Sequence, residues 1–200
     1  MIRIVIAEDQ KMLLGALAAL LDLEDDMTVV GSASNGEEAV KLVEQHEPDI
    51  CIMDIEMPGM NGLDAAEKLK DLDCKVIILT TFARSGYFQR AVKAGVNGYM
   101  LKDSPSEELA SAIRSVKKGR RIYAPELVDE VYSGEENPLT ERESEVLRLM
   151  SEGKSTKEIA EQLYLTNGTV RNYISSILDK LEVGNRIEAI AKFKEKGWFV

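Results

Sequence analysis

Two hundred residues, 44% of them apolar, suffice for one large globular domain or two small ones. A net charge of −10 argues against nucleic-acid binding along the whole chain, but residues 1–124 carry 15 Lys+Arg against 20 Asp+Glu, residues 125–137 five acids and no base, and residues 138–200 ten of each, which leaves the last segment free to form a local basic face. The apolar run Leu13–Leu21 is too short to span a bilayer and follows Glu8-Asp9 instead of a basic segment, so neither signal peptide nor membrane insertion is expected and the chain reads as cytoplasmic. Cys51 and Cys74 lack metal-ligand spacing and read as ordinary buried thiols, and His46 reads as a surface or capping residue at a helix end.

In chain order, Ile2 to Ala7 is an apolar strand ending at Glu8-Asp9, and Lys11 to Leu23 has helical spacing. Val29 to Ala33 is a second strand, and Ser34-Asn35-Gly36 turns into a helix through Val43. Ile50 to Met53 is too short and too apolar for an amphipathic helix and fits a strand buried on both faces, ending at Asp54. The loop Met57-Pro58-Gly59-Met60-Asn61-Gly62 leads to a helix from Leu63 to Leu69. Val76 to Leu79 is a fourth strand ending at Thr80-Thr81, followed by a helix over roughly Ser85 to Ala94. A short fifth strand, Tyr99 to Leu101, ends at Lys102. Ser104-Pro105-Ser106-Glu107 reads as a capping box opening a helix through Val116. Five βα units predict a doubly wound, five-stranded parallel sheet with right-handed crossovers.

Such a sheet presents Glu8, Asp9, Asp54, Thr80 and Lys102 on its carboxyl edge, where open α/β sheets bind ligands. Mg²⁺ prefers oxygen ligands and keeps several waters, so Asp9 and Asp54, with Glu8 through water, are a natural site for it. With the metal and Lys102 neutralising an incoming phosphoryl group, Asp54 can attack phosphorus and form an acyl phosphate, and Thr80 can donate to the new phosphoryl oxygens. The plainer alternative is a salt-bridge cluster at a sheet edge. Five such residues at successive strand ends favour the chemical reading.

Glu8-Asp9, Asp54 with Met57-Pro58-Gly59, Thr80 and Lys102 together resemble the receiver domain of two-component response regulators over roughly residues 1–118. The resemblance implies a flavodoxin-like fold, phosphorylation of Asp54 by a partner histidine kinase, Tyr99 as the aromatic switch residue working with Thr80, and the Glu56 backbone carbonyl as a further Mg²⁺ ligand. The first acid here is Glu8, where Asp is more frequent. Phe82, two residues after Thr80, is expected to limit water access to the acyl phosphate.

Residues 119–137 read as an acidic linker, with a short helix expected over Glu126–Tyr132. Residues 138–200 read as an all-α, four-helix domain. Thr140-Glu141-Arg142-Glu143 and Ser155-Thr156-Lys157-Glu158 are capping boxes, and Gly153 stops the first helix. A short helix, Lys157 to Leu163, a turn at Tyr164-Leu165-Thr166 and a longer helix, Asn167 to Leu181, match helix-turn-helix geometry. Val170, Ile174, Ile177, Leu178 and Leu181 form its apolar face. On the other side Arg171 suits guanine, Asn172 adenine and Ser175 several base edges. Lys154, Thr156, Lys157, Thr169 and Lys180 suit DNA phosphates.

Leu139-Thr140-Glu141-Arg142-Glu143, Lys157-Glu158-Ile159-Ala160, Thr169-Val170-Arg171-Asn172-Tyr173 and Leu178-Asp179-Lys180-Leu181 resemble the LuxR/NarL-type DNA-binding domain, with Tyr173 where a histidine is common. The whole chain is similar to NarL/FixJ-class response regulators. The stretches Thr80-Thr81-Phe82-Ala83-Arg84 and Asp103 to Leu109 resemble DesR-type regulators of membrane-lipid desaturation. This implies a transcription factor, not an enzyme, that forms a homodimer when phosphorylated and binds paired DNA half-sites roughly 34–36 Å apart. Two receiver faces are candidates for dimerisation: the surface of residues 85–94 and 106–116, or the first helix with the last. Two other function classes fit these residues less well. An Asp-nucleophile phosphatase would carry a second acid where Glu56 stands, but Met57-Pro58 follows at once and no substrate-cap insertion is evident. A protein-binding adaptor would show no salt-sensitive duplex binding.

Overall fold

A computed structural model of the protein describes residues 1–81, 84–124 and 137–198. They form two compact units, one largely N-terminal and one largely C-terminal. Phe82 and the expected helix at 126–132 lie outside the described residues.

The first elements are β1 (Ile2–Ala7), α1 (Lys11–Asp22), β2 (Met27–Ala33), α2 (Gly36–His46), β3 (Ile50–Met53), α3 (Gly62–Leu69), β4 (Lys75–Thr80), α4 (Ser85–Lys93), β5 (Gly98–Leu101), α5 (Ser106–Lys117) and β6 (Ile122–Tyr123). All strand pairs are parallel, in the order β2-β1-β3-β4-β5-β6. Every residue of β3 is buried, as its unbroken apolar sequence requires. Along the central strands, alternate residues Ile4, Ile6, Ile50, Ile52, Ile77 and Leu79 join one core cluster with Leu17 and Leu21 of α1 and Ile113 and Val116 of α5. Because β1 lies beside β3 in register, with Ala7 opposite Met53, the residues that follow both strands emerge together.

The sheet has six strands, one more than the sequence pattern predicts. Ile122 N–H donates to the Asn97 carbonyl at 3.0 Å and Ala124 N–H to that of Tyr99 at 3.0 Å, so the chain expected to begin the linker instead extends the sheet. A strand of two residues, Ile122 and Tyr123, is too short to show alternation. The capping box at 104–107 does not form. Ser104 lies in a turn, its N–H donating to the Leu101 carbonyl at 3.2 Å, and α5 starts later with Pro105 at the N-cap and no side-chain cap.

The C-terminal unit contains α6 (Glu141–Ser151), α7 (Thr156–Gln162), α8 (Asn167–Lys180) and α9 (Arg186–Glu195). Both predicted capping boxes are complete, Thr140 with Glu143 and Ser155 with Glu158. The turn before α8 passes through Tyr164 at φ 55°, a left-handed conformation that a bulky side chain adopts at a cost. Val146, Leu147, Ile159, Val170, Ile174, Ile177, Ala189, Phe193 and Trp198 build its core. Among the described residues, no helix is long and apolar enough to cross a membrane.

Candidate functional site

At the carboxyl edge of the sheet, Asp54 N–H donates to the Ala7 carbonyl at 2.9 Å, fixing the residue after β3 against the end of β1. Carboxylate oxygens of Glu8, Asp9 and Asp54 lie within 4.8 Å of one another. Glu8 and Asp54 are buried, at 2% and 6% exposure, while Asp9 faces solvent. The Lys102 Nζ bridges the buried pair, 2.7 Å from Glu8 Oε2 and 2.9 Å from Asp54 Oδ2. Ile55 N–H donates to Asp54 Oδ1 at 2.7 Å, and Gln10 N–H to Glu8 Oε1 at 3.2 Å.

The electrostatics are unbalanced: three acids face one ammonium. Burial pushes the Glu8 carboxyl above its ordinary range, the bond from Lys102 only partly offsets this, and the Asp54 charge raises it again. Burial opposes the Lys102 charge, but its bonds to Glu8 and Asp54 outweigh that and hold the ammonium more firmly protonated than usual. Hard oxygen donors with surplus negative charge fit a small divalent cation.

The surrounding backbone is packed tightly against the site. A Cβ on Gly62, the first residue of α3, would lie 1.9 Å from the Asp54 carbonyl oxygen, so only glycine lets α3 start there. Gly36 N–H donates to the Met60 carbonyl at 3.0 Å and Met60 N–H to Glu37 Oε2 at 3.1 Å, tying the loop after Asp54 to α2. Thr80, buried at the end of β4, accepts from Lys102 N–H at 2.8 Å through its carbonyl. Tyr99 is fully buried on β5, edge-to-face with Phe88 at 5.4 Å. Glu56 lies exposed in the loop beyond Asp54.

In the C-terminal unit, Arg171, Asn172 and Ser175 are exposed on α8, opposite buried Val170, Ile174 and Ile177. Lys157 is exposed, with a loose 3.9 Å pair to Glu161, and Lys154 is half-buried. Thr156 Oγ1 accepts from Arg186 Nη2 at 2.8 Å, and Thr169 N–H donates to the N-cap Thr166 Oγ1 at 3.1 Å. Lys180 differs from the other candidate contacts: its Nζ lies 2.7 Å from Glu143 Oε2. Glu143 also accepts from Ser176 Oγ at 2.6 Å and from Thr140. Burial would raise its carboxyl, yet these donors, Lys180 first, bring it down to about 2.

Comparison with known proteins accounts for both units. Residues 4–114 match the response regulator receiver domain, and residues 137–193 match the bacterial regulatory proteins of the luxR family. The chain belongs to the LuxR-family response regulators. It is 70% identical over 199 residues, all of both chains, to the transcriptional regulatory protein DesR of Bacillus subtilis. Over 200 residues it is 60% identical to the uncharacterized transcriptional regulatory protein YvfU of the same organism, covering 99% of this chain and 100% of that one. Among solved structures, the response regulator ChrA of a heme-sensing two-component system aligns at 32% identity with TM-score 0.60, covering 98% of each chain. A response regulator RcsB–DNA complex aligns at 25% identity with TM-score 0.65, covering 97% of this chain and 98% of that one. DesR and YvfU are transcriptional regulatory proteins, and this response regulator is a transcription factor, not an enzyme.

In this response regulator the edge residues Glu8, Asp9, Asp54 and Lys102 come together as their strand-end positions imply. Sequence reasoning missed the partners of Lys180. Glu143 joins Lys180 and also Ser176, 37 and 33 positions away, a link that no local motif reveals.

Proposed function

We propose that this transcription factor is switched by phosphorylation of Asp54, supplied by a partner histidine kinase. The observation that carries the reading is the Lys102 ammonium, held 2.9 Å from Asp54 Oδ2 at the end of β3. An Asp54 carboxylate oxygen attacks the phosphorus of a phosphohistidine, forming an acyl phosphate. The P–N bond breaks, and the imidazole leaves with that electron pair and takes up a proton. Lys102 balances charge on the transferred group, and Thr80 donates to its oxygens. Glu8, Asp9, Asp54 and the Glu56 carbonyl would hold Mg²⁺, which supplies charge neutralisation at the phosphoryl oxygens. Thr80 and Tyr99 then convert the modification into a rearrangement of the receiver surface.

The phosphorylated form is a homodimer in this reading. The exposed side of α1 favours the first-helix face: Met12, Leu20 and Leu23 are 89%, 44% and 80% exposed, and Gly15, Ala16 and Ala19 lie in the open among them. Paired α8 helices then enter the major groove of double-stranded DNA, with Arg171, Asn172 and Ser175 at base edges and Lys154, Thr156, Lys157 and Thr169 toward phosphates. The DNA complex of RcsB supports this by likeness. The resemblance of residues 80–84 and 103–109 to DesR-type regulators of membrane-lipid desaturation supports control of membrane-lipid genes.

Intact mass after incubation with Mg²⁺ and acetyl phosphate tests the central step. The wild type is expected to gain one phosphoryl group and Asp54→Ala none. A gain in both variants overturns the assignment of Asp54. No gain in the wild type, even with histidine kinases of the same cell supplied, overturns the switch.

A further inference from the structure

Glu143 occupies the third position of α6, where a capping-box glutamate ordinarily serves only its own helix start. Here it does more. Its Oε2 accepts from Thr140 N–H at 2.7 Å, Thr140 Oγ1 at 2.8 Å and Lys180 Nζ at 2.7 Å, and its Oε1 accepts from Ser176 Oγ at 2.6 Å. It is the one fully buried charged side chain among the described residues of the C-terminal unit, at 4% exposure. Ser176 and Lys180 are one turn apart on α8 and both reach α6. Arg171, Asn172 and Ser175 lie exposed on the same helix.

For Lys180 to reach a phosphate it must leave a buried carboxylate, which would then keep only the neutral donors of Thr140 and Ser176 and no counter-charge in a low-dielectric setting. The exchange is unfavourable, although the Lys180 side chain is 36% exposed and long enough to turn outward. We propose that Glu143 withholds Lys180 from the DNA backbone, so that this lysine positions α8 and does not contact phosphate. The helix keeps its docking cation while the electrostatic, sequence-independent part of DNA binding is held down by one charge per protomer. Recognition then leans more heavily on Arg171, Asn172 and Ser175.

The inference rests on the reading of α8 as the DNA-contacting helix. The test measures binding of the full-length, acetyl-phosphate-treated protein to a random-sequence duplex across a KCl series. Each phosphate contact contributes about 0.9 to the slope of log K against log salt. Lys180→Met is expected to keep the wild-type slope. Glu143→Gln, whose amide oxygen keeps the cap to Thr140 and whose NH2 can donate to the Ser176 hydroxyl, should steepen it by about 0.9 per protomer and tighten low-salt binding, and the double variant should return it to the wild-type value. A loss of about 0.9 in Lys180→Met, or an unchanged slope in folded Glu143→Gln, overturns the proposal. If circular dichroism shows Glu143→Gln unfolded, Lys180→Met decides alone. A wild type whose duplex binding is absent or insensitive to salt overturns the DNA reading itself, a result distinct from either variant outcome.

Discussion

Glu8 in the N-terminal unit and Glu143 in the C-terminal unit are both almost fully buried, at 2% and 4% exposure, and each accepts from a lysine at 2.7 Å. Their carboxyls nevertheless shift in opposite directions, Glu8 upward and Glu143 down to about 2. The difference lies in the company each keeps. Glu8 shares its lysine with Asp54 and has Asp9 close by, so negative charge exceeds what the fold neutralises. Glu143 has one lysine to itself and three further hydrogen-bond donors. A buried ion pair left short of positive charge is a binding site in waiting, whereas one fully supplied with donors is a fastener.

The largest effect should come from removing the cation at the unbalanced site. Lys102→Ala is expected to slow phosphoryl gain from acetyl phosphate by about a hundredfold or more, measured by timed intact mass, because a preorganised charge aimed at the transferred group is lost. Next is the fastener. Glu143→Ala should destabilise the C-terminal unit by about 3 kcal/mol, since it strips a cap and leaves Lys180 without its acid. Trp198, the single tryptophan of the sequence and buried in that unit, reports this by fluorescence in a urea titration.

Acid separates the two sites by sign. Glu143 binds its proton less readily folded than unfolded, so its contribution to stability is present above about 4.5 and is lost as the pH falls toward about 2. Glu8 binds its proton more readily folded, so in metal-free buffer its contribution improves as the pH falls through its raised value toward 4.5. Trp198 fluorescence for one unit, and hydrogen exchange at β1 and β3 for the other, should give opposite slopes. The smallest effect expected is from Glu8→Gln. It keeps an acceptor for Lys102 and removes like charge beside Asp54, and should leave the metal-free receiver unchanged or more stable by up to about 1 kcal/mol. A loss as large as that of Glu143→Ala would erase the contrast between the sites.

Much of the first site was legible because strand ends are legible. An unbroken apolar run such as Ile50–Met53 stops where a polar residue begins, and parallel topology then gathers those stops on one edge. Helix α8 was legible for a similar reason, since Val170, Ile174 and Ile177 repeat at helical spacing. Glu143 was legible only as a cap. Its second role depends on Ser176 and Lys180, brought to it by helix packing that leaves no mark in local sequence. The false capping box at Ser104 shows the converse, a valid local motif overruled by the turn that carries the chain off β5.

The two-residue β6 bears on how this protein can be divided. A sheet ending at β5 would present that strand's backbone groups to any passing chain, the usual template for edge-to-edge association. Ile122 and Tyr123 cover Gly98 and Tyr99, and the Tyr123 ring packs edge-to-face on Phe88 at 5.1 Å. A receiver fragment cut at residue 118 discards that cover, and one carried through Ala124 retains it. The shorter fragment is therefore the one that should self-associate through its open edge, mimicking a dimer that has nothing to do with signalling.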